Sequence, residues 1–140
     1  MADNNYVIPK GMLITEGGSS RRLFLEQQKL QKYFPQFGFT KSRDGSLAVS
    51  GSLRTNSGYV YALRIELGEH YPHQIPHIRP VGWNSTCPHV YESGALCIMR
   101  PDQWRSIFSI AFVVAKSAIW LNKFEVYRQR GYWPGNAQPH

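Results

Sequence analysis

Two cysteines bracket the stretch Cys87-Pro-His-Val-Tyr-Glu-Ser-Gly-Ala-Leu-Cys97, with His89 eight residues before Cys97 and Trp104 seven residues after it. A thiol in such a loop reads as a prepared nucleophile site, because thiolate attacks electrophilic carbonyls readily and leaves well, whereas Ser would form a more stable ester. Arg100 lies close enough in sequence to favour the thiolate of Cys97. A Ser93-Gly94 turn would fold the loop back and bring His89 near Cys97. There its ring could donate a hydrogen bond to a developing oxyanion or, with an unperturbed pKa of about 6.5, take a proton. Asp102 would orient an incoming amine or take its proton, and Trp104 would wall the thiol pocket. Each residue also has a plainer reading. Cys97 could pack between Leu96 and Ile98 as a small hydrophobe, His89 could bond loop carbonyls, Asp102 could be a solvated acid, and Trp104 could be core. Cys87, His89 and Cys97 would supply three zinc ligands, but there is no paired Cys-x-x-Cys knuckle and no fourth ligand, so no metal site is expected.

These residues need a scaffold, and the periodicity supplies one. Leu23, Gln27, Leu30 and Phe34 recur at helical spacing after a cap at Ser19 or Ser20 and stop at Pro35. From Ser46 the period changes to two. Leu47, Val49 and Leu53 alternate up to the turn residues Asn56-Ser-Gly58, and Tyr59, Tyr61, Leu63, Ile65 and Leu67 continue the pattern. A shorter strand is expected around Ile78 to Val81, held to a sheet edge by Pro76 and Pro80. Residues 82 to 104 read as a long connection, of the kind that is functional when ordered. Past Ser106 as a cap, Ile110, Val114, Ala118, Leu121 and Phe124 predict a long helix ending at Gly131. The expected class is α/β (α+β): a first helix, an antiparallel meander of about four strands, an active-site loop and C-terminal helices. Residues 1–18 would form an extended arm with Val7, Ile8, Met12 and Leu13 against the body.

The length of 140 residues fits one domain over 1–140. A 42% hydrophobic and 14% aromatic composition allows a real core. Two cysteines give no disulfide framework, and a working thiol favours the cytoplasm. The N-terminus lacks the regions of a signal peptide, and the apolar run from Ile107 to Ala115 is far below the roughly 18 residues of a membrane span, so no membrane partner is expected. The net charge of +7 invites a nucleic-acid reading. However, its basic residues are scattered and no nucleic-acid-binding motif accompanies them. A docking face for an acidic protein fits better, with Arg21, Arg22 and Lys29 on the first helix as its contacts.

Tyr71-Pro72, Pro76, Pro88, Tyr91, Gly94, Leu96-Cys97, Trp104 and Ile110 follow one another as in the ubiquitin-conjugating enzymes, and residues 71–110 resemble the core of that family. The gap from Cys to Trp is one residue shorter than is usual, and the family's His-Pro-Asn is replaced by Cys87-Pro88-His89. The Asn credited with holding the oxyanion is thus a His, and Cys87, in the position of the family's structural His, would take a buried or packing role in preference to that of a resolving thiol. The tail, Trp120-Leu-Asn-Lys-Phe-Glu125 followed by Gly131-Tyr-Trp133-Pro-Gly135, is similar to the bacterial branch found in antiphage cyclic-oligonucleotide signalling operons. The resemblance implies that Cys97 and His89 are catalytic. Cys97 would accept a C-terminal glycyl group as a thioester from a separate activating enzyme, because the chain carries no adenylation signature, and would pass it to a lysine. The cargo would be a ubiquitin-like protein or the C-terminus of a nucleotidyltransferase, with no cofactor. The alternative is a non-catalytic variant of the fold serving as a protein-binding module.

Overall fold

The computed structural model describes residues 8–14 and 19–135. Helix α1 (Ser19–Tyr33) leads into a sheet of four strands, β1 (Gly38–Lys41), β2 (Leu47–Arg54), β3 (Val60–Glu66) and β4 (His77–Val81), and the long helix α2 (Ile110–Arg130) follows the loop. The strands pair antiparallel in sequence order, β1-β2-β3-β4. In register, Val49 faces Ile65 and Ile65 faces Ile78. Alternation accounts for this layout. Tyr61, Leu63 and Ile65 of β3 all point into the core, where they meet Val113, Val114, Leu121 and Phe124 of α2. Proline is tolerated in β4 because β4 is an edge. Strand β1 has no alternating apolar pattern, with burial confined to Phe39, so periodicity gave it no location.

Helix α2 starts three residues later than expected. Ser109, not Ser106, is the cap; its hydroxyl accepts from the Phe112 N–H at 3.0 Å. Ser106 instead offers its carbonyl to Arg22. At the other end Gly131 takes φ 79° and its N–H closes on the Tyr127 carbonyl, a left-handed cap that glycine adopts without a Cβ penalty. Among the described residues α2 is the one C-terminal helix, where several were expected.

The apolar stripe expected on α1 is also rotated. Leu23 is 40% exposed, while Arg22, Glu26 and Leu30 form the buried face. The cause is a buried ionic clamp. Glu26 Oε1 accepts the N–H of Ile110, the first residue of α2, at 2.8 Å, and Oε2 accepts from Arg22 Nε at 3.0 Å and from the Tyr71 hydroxyl. Arg22 also donates to the carbonyls of Ser106 and Phe108. A carboxylate at a helix N-terminus meets both an orphan donor and the favourable end of the dipole. The N-terminal segment closes over this joint: the Ile14 N–H bonds the Ile107 carbonyl at 2.7 Å, and Met12 and Ile14 are buried. Val7 lies outside the described residues.

Candidate active site

The loop after β4 folds back as a small tongue. Val90 bridges Leu96 antiparallel, the Tyr91 N–H bonds the Ala95 carbonyl, and the Cys97 N–H bonds the His89 carbonyl at 3.1 Å. Gly94 makes the turn at φ 86°, a conformation that side chains rarely adopt. The Leu96 N–H ties the tongue to Ile78 of β4 at 2.8 Å. The expectation that the Ser93-Gly94 turn brings His89 opposite Cys97 therefore holds.

Both residues line a cavity of about 100 Å³, together with Trp120, Trp133, Lys116 and Lys123. The His89 ring lies over Trp133, with centroids 4.5 Å apart and planes at 35°. Trp120 Nε1 donates to the His89 carbonyl at 3.0 Å, which pins the tongue to α2. Cys97 is 6% exposed and its Sγ donates to the Met99 carbonyl at 3.5 Å. Burial pushes the thiol above its ordinary range, more than hydrogen bonds from Tyr91 and the Met99 backbone bring it down. Cys87 is half-buried, accepts from the His89 N–H at 3.4 Å, and its thiol is likewise raised, chiefly by burial. This matches the packing role expected for it.

Other expected site residues lie elsewhere. Arg100 does not reach the thiol; its Nε pairs with Asp102 at 3.0 Å on an exposed turn at Pro101–Gln103. Neither Asp102 nor Trp104 lines the thiol cavity. Trp104 is core: it is buried, donates from Nε1 to the Pro72 carbonyl at 2.8 Å, and packs against Tyr71 and Phe108. Arg22 is corrected as a docking residue, because the clamp holds it inside with 9% exposure. Lys29 Nζ bonds the Gly11 carbonyl at 2.5 Å, and Arg21 is exposed. Among the described residues no three His, Cys, Asp or Glu side chains gather as metal ligands, and no helix is long and apolar enough to cross a membrane.

Lys116, Lys123, Trp120 and Trp133 were missed as site residues. Helical spacing carried a signal for three of them, since Lys116, Trp120 and Lys123 stand at i, i+4 and i+7 and share one face of α2.

The model of a family described as the type II CBASS E2 protein matches residues 26–140. No curated protein matches the chain. Among solved structures, a ubiquitin-conjugating enzyme E2 from Plasmodium falciparum is similar at 15% identity, with 86% of this chain and 93% of that chain covered and a TM-score of 0.48.

Proposed function

We propose, given that the chain belongs to the type II CBASS E2 family, that Cys97 accepts the C-terminal glycyl group of a protein as a thioester from a separate activating enzyme and transfers it to an amine. The conjugated protein is a cyclic-nucleotide-synthesising nucleotidyltransferase in antiphage signalling, or a ubiquitin-like protein in the same role. One observation carries the reading: the tongue brings Cys97 and His89 into one cavity against α2.

In the first step the Cys97 thiolate attacks the donor thioester carbonyl. The new C–S bond forms as the donor thiolate leaves. In the second, an amine nitrogen attacks the same carbonyl, the bond to Cys97 breaks, and the amine proton passes to solvent. His89 replaces the missing Asn by donating to the tetrahedral oxygen. Trp133 packs on the ring at a tilt of 35° and the Trp120 bond fixes its backbone, so the ring is held in place before the substrate arrives.

Incubation of the protein with its activating enzyme, ATP and cargo tests this directly. A thiol-labile adduct on Cys97 is expected, replaced by a stable oxyester in Cys97→Ser and absent in Cys97→Ala. His89→Ala should charge normally and discharge about 10²–10³-fold more slowly, the usual loss for one oxyanion donor. Conjugation by Cys97→Ala would overturn the assignment. The near-complete burial of Cys97 and its raised thiol favour the binding module as a second reading, which gains if wild-type protein never forms the labile adduct yet still binds the cargo.

A further inference from the structure

Lys116 and Lys123 stand seven residues apart on α2 and line the same cavity as Cys97 and His89. No Asp or Glu lines it. The acids nearest in sequence are engaged elsewhere. Asp102 pairs with Arg100, and the Glu125 carboxylate takes hydrogen bonds from Thr55, Ser57 and Tyr61. Among the described residues neither lysine has an ion-pair partner. Lys116 is half-buried, and burial followed by repulsion from Lys123 lowers its pKa. Two ammoniums gathered at a small cavity repel one another, and an anion between them relieves both that repulsion and the partial desolvation.

Resting on the acyl-transfer reading, we infer that Lys116 and Lys123 make the thiol cavity selective for anionic acyl chains, so that the carried protein has carboxylate side chains next to its acylated C-terminal residue. The cavity holds only about 100 Å³, so a small reacting residue suits it best. The charge that is recognised therefore comes from the residues just before it, within reach of the two lysines that line the cavity. The same field opposes entry of a protonated lysine, so the arrangement favours an acidic tail over a basic one before any acceptor arrives.

Two measurements on the whole chain test this. The first compares alkylation of Cys97 by iodoacetate, an anion, with alkylation by neutral iodoacetamide, with the site located by peptide mass spectrometry. Burial slows both reagents, so their ratio isolates charge. The iodoacetate-to-iodoacetamide ratio should be about tenfold higher at native Cys97 than at the same residue in urea. It should collapse in Lys116→Gln/Lys123→Gln and persist in Lys116→Arg/Lys123→Arg. The second measures acylation of Cys97 by synthetic peptide thioesters ending in Gly, preceded by either Glu-Asp or Lys-Arg. The acidic peptide should react about tenfold faster, with the advantage shrinking as salt is raised. A native ratio equal to that in urea, or equal rates for the two peptides, overturns the inference. A retained iodoacetate preference with no acylation by either peptide instead sinks the acyl-transfer reading and leaves the anion-selecting cavity standing.

Discussion

Helix α2 meets charge at two places, and it treats them in opposite ways. At its N-terminus Glu26 is fully buried, but its carboxylate receives Arg22, the Tyr71 hydroxyl and the Ile110 N–H, and Arg22 spends its remaining donors on two carbonyls. About two and four turns along the same helix, Lys116 and Lys123 line the thiol cavity with no carboxylate to answer them among the described residues. A satisfied buried network fixes geometry, whereas half-buried charge left without a partner marks a place where something else is meant to bind. The clamp joins α1, the Tyr71-Pro72 loop and α2; the cavity is where the proposed acyl chain would enter.

The comparison is broken most directly at Glu26. Glu26→Ala strands Arg22 as a buried charge and orphans the first N–H of α2, so about 3–5 kcal/mol of stability should be lost, as for other broken buried pairs. Urea denaturation measures it. A loss under about 1 kcal/mol would mean that water replaces the carboxylate and that the clamp does not hold α1 to α2.

The legibility of the chain divides along the same line. Strands β2, β3 and β4 and most of α2 were readable because each buries one face, so apolar residues recur at a period of two or of about three and a half. The clamp was not. Arg22 reads as an exposed basic docking residue until Glu26 is seen beside the α2 N-terminus, because the carbonyls that take it inside lie 84 and 86 residues away at Ser106 and Phe108. The pairing of Cys97 with His89 was legible, since a Gly turn between them leaves few ways to fold the loop. For Asp102 and Trp104 the plainer readings hold, solvated acid and core, and the accessory roles fail: closeness in sequence to Cys97 says nothing of direction, and neither residue lines the cavity.

A second test uses the raised thiol. Because burial disfavours the Cys97 thiolate in the native state, native alkylation by iodoacetamide should rise with pH along a curve whose midpoint lies above that of the same thiol in urea. The linked stability has a definite sign. The folded pKa exceeds the unfolded one, so the contribution is complete below the unfolded value and is lost as pH rises through the folded one. Above the ordinary thiol range wild type should therefore lose stability faster than Cys97→Ala. Coincident curves in buffer and urea would show the thiol to be solvated.

Trp133→Ala should have a smaller effect on folding and a clearer one on chemistry. The ring packs on His89 and Trp120 at the end of the described chain, with centroids 4.5 and 5.4 Å away, so its loss should cost about 1–3 kcal/mol, the ring contacts plus the burial of a half-buried side chain. If the ring aims His89, discharge of the charged protein should slow while charging stays near normal. A variant that discharges at the wild-type rate would assign Trp133 to packing alone.

The smallest effect belongs to Lys116, where it sharpens the contrast with Glu26. Lys116→Met keeps the apolar stem that lies along the cavity wall and removes a half-buried ammonium together with its repulsion from Lys123. Stability should stay within about 0.5 kcal/mol of wild type or rise slightly, as for substitutions that break no network. A fall of more than about 2 kcal/mol would mean that Lys116 is a second structural charge, bonded where Glu26 is bonded, and would dissolve the distinction between a closed clamp and an open site. The expected result is the opposite pairing of effects. Glu26→Ala should unfold the chain with ease while leaving the reagent preference of any folded Cys97 intact, and Lys116→Met should leave folding alone while weakening that preference.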